Sequence, residues 1–335
     1  MSTKENILAA LSATDEFISG EALSQQCGIS RTAVWKHIQK LQEEGYVIES
    51  QRRLGYRLIS SEDVFTAQEI SRYLPEPFLG TKGQIIYYDA VDSTNQEARR
   101  LILQGCGQGT VIVANMQTAG KGRLGRHWES PAGTGIWSSL ILEPEVGLQQ
   151  TSLYSFVIAV AVAEGIGEAT GLRAEIKWPN DILIGGKKVC GILLELVAEM
   201  MQVHQLIVGI GINANQQLED FPPEVQLKGT SLAIALGHSV NRSAVLGTVL
   251  TKVQEACLLL EQEGFAAIRE KWIALSCVIG KEVQIMRQGK ALLTGVVEGL
   301  GSDGALLVQT EHGLEEIIAG DVSLRAADGS YFTQS

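Results

Sequence analysis

The 335-residue sequence predicts an α+β chain in three parts: a helical N-terminal segment closed by a basic hairpin, a central mixed-sheet α/β domain, and a small C-terminal all-β domain. Three observations predict it. Residues 4–58 read as helix, helix, turn, helix and hairpin, while residues 66 to about 272 mix apolar strands and apolar helices without strict βαβ alternation. From Val278 onward, short strands are separated by turns such as Gly301-Ser302-Asp303-Gly304 and Gly320-Asp321. The parts are set at 1–62, 63–274 and 275–335, with Ser60-Ser61-Glu62-Asp63 as a polar joint.

Composition narrows the function. With 45% hydrophobic and 19% charged residues, the chain is neither a disordered polyampholyte nor a membrane protein. Its longest apolar run, Phe156 to Ala163, ends at Glu164 and falls far short of the ~18 residues of a membrane span. It reads as a buried helix, and no membrane partner is expected. The five cysteines (Cys27, Cys106, Cys190, Cys257, Cys277) and five histidines are scattered, which argues against a disulfide framework and a protein-bound metal. No export signal is read at Met1, so the expected compartment is the reducing cytoplasm.

In the N-terminal part, Ile7, Leu8 and Leu11 give the first helix an apolar face, Ser19 caps a second helix that ends at Gly28, and Ser30 caps a third running from Arg31 to about Glu44. On that third helix Val34, Ile38 and Leu41 share one face; Arg31, Thr32, Trp35, Lys36, Gln39 and Lys40 point outward. Strands at Tyr46–Ser50 and Tyr56–Ile59 flank the tip Gln51-Arg52-Arg53-Leu54-Gly55, completing a winged helix-turn-helix. A net charge of -11 opposes general affinity for nucleic acid. From Arg31 to Arg57, however, six basic residues face three acidic ones, so DNA contact is expected to be local, through Arg31, Thr32, Trp35, Lys36, Arg52 and Arg53.

The central part reads as strands at 84–89, 110–115, 135–142, 189–196 and 205–211, with helices at 94–104, 152–170 and 241–262. Gly120-Lys121-Gly122-Arg123-Leu124-Gly125-Arg126-His127-Trp128 has the glycine spacing of a dinucleotide fingerprint. That function needs a helix immediately after, and Pro131, Gly133 and Gly135 prevent one. What remains is a glycine loop with three cations and an indole, suited to an anionic ligand carrying a stackable base. Ser93 and Gln96 fit a capping box, a sufficient structural reason for both, although a helix start also cradles carbonyls and anions. In Lys177-Trp178-Pro179-Asn180-Asp181 the proline forces a turn at a strand end. Gly185-Gly186-Lys187-Lys188 forms a hairpin before the buried strand Val189-Cys190-Gly191-Ile192-Leu193-Leu194, so Lys188 faces either solvent or a cleft. Gly209-Ile210-Gly211-Ile212-Asn213 ends another apolar strand with a polar side chain.

Taken together and in this order, these segments resemble the bifunctional biotin protein ligases that also repress biotin-synthesis genes, over nearly the whole chain. The resemblance implies a central domain like that of class II aminoacyl-tRNA synthetases and a C-terminal SH3-like barrel. It implies ATP and Mg²⁺ as cofactors, biotin as substrate, and a biotin carboxyl carrier protein as acceptor. It further implies operator DNA as a partner and a homodimer promoted by biotinyl-adenylate. Ser93, Thr94, Asn95, Gln117 and Lys121 would hold the biotin rings, with Gly122 and Arg123 at its carboxylate and the α-phosphate. Arg123 and Arg126 would retain the adenylate, Trp128 would cover the adenine, and Lys188 would sit at the reacting phosphate. Asn180 and Asn213 would help read the nucleotide, and Asp181 would assist the metal. Lys121 stands where some members carry arginine, replacing a planar fork with a point charge. The nearest rivals are a lipoate or octanoyl ligase and a ligand-sensing repressor without catalysis.

Overall fold

The computed structural model describes residues 3–14, 16–43, 45–60, 63–81, 83–144, 148–199, 202–287, 290–318 and 322–327. Glu44, the Ser61-Glu62 part of the polar joint and the Gly320-Asp321 turn lie outside the described residues. The chain divides into two compact units, Met1–Phe65 and Thr66–Ser335.

The first unit contains α1 (Thr3–Ser12), α2 (Gly20–Cys27), α3 (Arg31–Glu43), β1 (Val47–Gln51) and β2 (Gly55–Ser60). The caps are where the residue types place them. Ser19 Oγ accepts the Ala22 amide at 3.0 Å, Ser30 Oγ accepts the Ala33 amide at 3.2 Å, and Gly28 closes α2 at φ 66°. Ile7, Leu8, Leu11, Leu23, Val34, Ile38 and Leu41 form the core. This leaves Arg31, Thr32, Trp35, Lys36, Gln39 and Lys40 of α3 exposed on one side. Ile18 exchanges two backbone hydrogen bonds with Tyr56, adding a bridge to β2 close to the turn of the wing. Arg57 is held on the β-ribbon by Glu49 at 2.7 Å and by the Phe17 ring, whereas Arg52 and Arg53 are exposed at its tip.

The second unit begins with α4 (Ala67–Ser71), β3 (Gln84–Tyr88), α5 (Thr94–Ile102), β4 (Thr110–Ala114), β5 (Gly135–Leu142) and α6 (Tyr154–Thr170). It continues through β6 (Glu175–Lys177), β7 (Asp181–Ile184), β8 (Lys187–Glu199) and β9 (Gln202–Asn213). Four helices follow: α7 (Pro223–Gln226), α8 (Leu232–Leu236), α9 (Arg242–Glu263) and α10 (Phe265–Leu275). These strands make one seven-stranded sheet in the order β3-β4-β5-β9-β8-β7-β6, antiparallel except for the β3/β4 pair. A mixed sheet of this kind is what the absence of strict βαβ alternation required.

Helix α10 was not foreseen. Gly264 ends α9 and at once begins α10 at φ 76°, a break that reads locally as the end of the helical part. Trp272 of α10 is fully buried and meets Phe156 of α6 edge-on, with ring centroids 5.9 Å apart. The remaining strands, β10 (Glu282–Arg287), β11 (Lys290–Leu300), β12 (Leu306–Thr310), β13 (Gly313–Ile317) and β14 (Val322–Ala326), form a five-stranded antiparallel sheet in the order β13-β12-β11-β10-β14.

The run Phe156–Ala163 is buried throughout. By length and composition alone, Gln150–Thr170 and Arg242–Glu263 are apolar enough to cross a membrane, but 61% and 50% of their apolar windows are buried inside the fold. They are packed on each other, and Gly165 permits it: a Cβ there would lie 2.7 Å from Val249 Cα. Gly165→Val is expected to cost about 2 kcal/mol by overpacking this contact. Urea unfolding reads that loss as a lower midpoint; an unshifted midpoint would show that α6 and α9 have room to spare.

Candidate active site

The face of the sheet beside β8 and β9 is opened by glycine. Gly191 and Gly211 are cross-strand partners, and the Trp128 indole lies over both. A Cβ on Gly191 would come 3.0 Å from the indole ring, and one on Gly211 would come 2.8 Å from its Nε1. Gly209, two residues back on the same face, would run a side chain into Asn95. Trp128 and Asn95 fit into the space these absent Cβ atoms leave, and beside them lies a cavity of about 300 Å³ reaching from the start of α5 to the ends of β6 and β9.

One end of the cavity is neutral and polar. Thr94 and Asn95, each 3% exposed, are tied to Ser139 on β5, whose hydroxyl lies 2.7 Å from the Thr94 hydroxyl and 2.6 Å from Asn95 Oδ1. Gln117 Oε1 accepts the Thr94 amide at 2.8 Å, and Gln117 Nε2 donates to Ser130 Oγ at 2.8 Å. Ser130 in turn donates to the Trp128 carbonyl at 3.0 Å. The expected Ser93–Gln96 capping box does not form, because Ser93 makes no side-chain cap. Asp92 takes the Ser93 amide and Gln117 takes that of Thr94, so the donors at the start of α5 are satisfied from outside the helix.

The opposite end is cationic. Lys188 Nζ stands 2.5 Å from Asp181 Oδ1 and 5.0 Å from the centre of the Trp128 ring, so it faces the cavity. Arg123 Nη1 donates to Asn180 Oδ1 at 3.1 Å, while Asn180 Nδ2 donates to the Ile192 carbonyl at 2.7 Å; both ends of that carboxamide are engaged. Arg123 sits in a single 3₁₀ turn, Arg123–Gly125, inside the loop, and no helix follows it before β5, as Pro131, Gly133 and Gly135 require. The turn is held by Gly122 N–H to the Arg126 carbonyl and by Trp128 N–H to the Gly120 carbonyl, and Gly120 has no room for a Cβ beneath that second bond. Lys177, 3% exposed, also lines this end. Burial pushes its ammonium down to about 7; Asp181 opposes that shift, and Arg325 and Lys188 reinforce it. Cys190 lies nearby on β8, but complete burial raises its thiol far above the usual range, which makes it no nucleophile.

Ser93, Thr94, Asn95, Gln117, Lys121, Gly122, Arg123, Arg126, Trp128, Asn180, Asp181, Lys188 and Asn213 all line this one cavity. The basic candidates Arg31, Thr32, Trp35, Lys36, Arg52 and Arg53 belong to the other unit. Among the lining residues with no assigned role at the level of sequence are Lys177, Gly191, Gln216 and the β14 segment with Arg325. Lys177 stood inside a motif and could have been found there. Arg325 gave no local signal, since only the fold brings β14 to the cavity. Among the described residues no group of three metal-ligating side chains occurs.

A cavity that joins a neutral polar end to a cationic end over a backbone floor suits a ligase that activates an acid on a nucleotide, and the accompanying unit, with its exposed basic helix face and basic wing tip, suits DNA. Residues 87–213 match the Biotin/lipoate A/B protein ligase family, 3–57 an HTH domain, and 278–325 the Biotin protein ligase C terminal domain. The chain is 42% identical over 312 residues to the Bifunctional ligase/repressor BirA of Bacillus subtilis, covering 93% of this chain and 95% of that one. With the Escherichia coli protein of the same name it shares 31% identity, over 96% and 97% of the two chains. The solved Biotin protein ligase from Aquifex aeolicus in complex with biotin and ATP matches 73% of this chain and 99% of its own, at 36% identity and a TM-score of 0.64. The chain belongs to the biotin protein ligase family, in its bifunctional ligase/repressor branch.

The buried lysine has a consequence for stability. Unfolded, Lys177 titrates near 10.5; folded, near 7. Between those values the unfolded chain holds the extra proton, so stability rises with pH across that window. Lys177→Met should flatten this rise, as read by urea unfolding at pH 7 to 10. Parallel profiles for the two proteins would place the Lys177 ammonium in a more solvated setting.

Proposed function

We propose that this chain joins biotin to ATP, forming biotinyl-adenylate and pyrophosphate, and then passes the biotinyl group to a lysine of a biotin carboxyl carrier protein. The observation that carries this reading is the polarity of the cavity. Thr94, Asn95, Gln117 and Ser139 form a dense hydrogen-bonding end suited to a ureido ring, and the hydrocarbon and disulfide of a lipoyl group would leave that end unpaired.

The first step needs no enzyme nucleophile, since the biotin carboxylate attacks the α-phosphate directly. The protein must bring two anions together and neutralise the charge that grows between them, which falls to Lys188 and Arg123, with Arg126 retaining the adenylate. Asn180, fixed to β8, orients the Arg123 guanidinium. Trp128 covers the adenine and Asn213 helps read it. Mg²⁺ arrives with ATP as part of the substrate. Asp181, beside Lys188, is the carboxylate placed to meet it, in keeping with an ion bound through one carboxylate and substrate phosphates. In the second step the acceptor lysine attacks the mixed anhydride, AMP leaves, and the lysine gives up its proton.

The working division into 1–62, 63–274 and 275–335 assigns the DNA contacts of Arg31, Thr32, Trp35, Lys36, Arg52 and Arg53 to the first segment, at the operator of biotin-synthesis genes. One winged helix makes few phosphate contacts, so two copies joined by an adenylate-promoted dimer would bind far better. The setting is the cytoplasm, where both carrier and operator are found.

Reconstitution with biotin, ATP, Mg²⁺ and an acceptor domain is expected to release pyrophosphate and raise the acceptor mass by one biotinyl group, with lipoate inert. Lys188→Ala should slow adenylate formation by about 10²-fold or more in single-turnover assays. Near-normal turnover would remove Lys188 from its role. Operator binding, with sedimentation in parallel, is expected to strengthen with biotinyl-adenylate as the dimer forms. Were the adenylate to change neither quantity, the DNA-binding unit would answer to another signal.

A further inference from the structure

Beyond Asn213 the chain leaves β9 and passes Gln216, whose side chain lines the cavity although the residue is only 2% exposed. Its Oε1 is buried without a hydrogen-bond partner. An unpaired buried carboxamide is costly, so a segment this well fixed calls for a partner that is absent from the protein itself. The segment is indeed fixed. Ser231 Oγ donates to the Gln216 carbonyl at 2.6 Å, and neighbouring Asn215 exchanges hydrogen bonds with both the amide and the carbonyl of Val240 at 2.8 and 3.0 Å. Gln216 is therefore held in place with its amide unspent.

Its position says which part of a ligand it meets. Gly209, at the polar end, contacts Asn95, while Asn213 lies four residues further along the same strand, at its end, and Gln216 follows three residues later on the lining of the same cavity. At ~3.4 Å per residue this puts Asn213 over 10 Å from the polar end, the distance at which the nucleotide base of an acyl-adenylate falls. Asn213 gives its Nδ2 to the Thr230 carbonyl at 3.0 Å, which leaves Oδ1 as an acceptor only. Gln216 retains a donor and an acceptor. Adenine offers an amino donor beside a ring-nitrogen acceptor on its edge, the pattern a glutamine amide meets with two hydrogen bonds. Guanine presents a carbonyl at the amino position and would leave both protein acceptors facing an oxygen.

We infer that Gln216 reads the base alongside Asn213, selecting adenine by its exocyclic amino group. The inference rests on the cavity taking ATP, as proposed above. The test is biotin-dependent pyrophosphate exchange by the full chain with ATP and with purine riboside triphosphate, which lacks only the amino group, for the unaltered protein and for Gln216→Met and Gln216→Leu. The unaltered protein should prefer ATP. Each variant should lose about tenfold in kcat/KM for ATP, and the preference over purine riboside triphosphate should shrink by the same factor, while the KM for biotin stays put. Because the variants remove an unpaired buried amide, the ligand-free Tm should not fall. Equal losses with the two nucleotides, or a lowered Tm with an unchanged preference, would make Gln216 a structural residue and overturn the inference. Failure of the unaltered protein to exchange pyrophosphate with either nucleotide would instead defeat the reading of the cavity on which it rests.

Discussion

Sheet faces in folded proteins are normally filled to the density of a crystal, and side chains on paired strands meet their neighbours without a gap. Here the pairing of Gly191 with Gly211, and the presence of Gly209 on the same face, suspend that rule over a short length of β8 and β9. Everything else about the site follows from that bare backbone. The Trp128 indole settles on it, the Asn95 carboxamide occupies the space a side chain at Gly209 would need, and Lys188 reaches over the indole toward Asp181. A methyl group at any of the three glycines would push against the indole or the Asn95 carboxamide.

The two ends of the cavity are mechanically joined. Thr94, Gln117, Ser130 and the Trp128 carbonyl form one hydrogen-bonded series from the start of α5 to the base of the glycine loop. A ligand that competes for Gln117 or Thr94 therefore acts on the bond that anchors the indole, and the indole touches the floor under the cationic end. Asn180 serves the same economy from the other side, with one end on the β8 backbone and the other on Arg123. An uncharged amide thus helps to set position at each end, Gln117 at one and Asn180 at the other.

Local chemistry was easily read from sequence and long-range pairing was not. Ser19, Ser30 and Gly28 announce their helix ends because cap and capped amide lie three or four residues apart. The capping box at Ser93 is equally sound on paper and does not form: Asp92 takes the Ser93 amide that Gln96 would cap, and Gln117, 23 residues away, takes the next amide, that of Thr94. The glycines of β8 and β9 stood out as motif residues, yet their shared purpose depends on a strand register that joins positions 20 residues apart. Arg325 reaches the cavity only because β14 pairs with β10 and brings the last described strand back to it. Helix α10 was hidden by Gly264, a residue that ends one helix and begins the next.

The tight seam between α6 and α9 also bears on how such a chain comes into being. Helix α6 is apolar on nearly all sides, and the partner that covers it against Gly165 is synthesised only after β6 to β9 and two short helices have been made. A nascent chain therefore carries a bare hydrophobic rod for much of its elongation, while the Met1–Phe65 unit, whose core is complete within its own sequence, has everything it needs to fold. Synthesis from the N-terminus gives the DNA-binding unit a head start and leaves α6 of the second unit without its covering partner until α9 emerges.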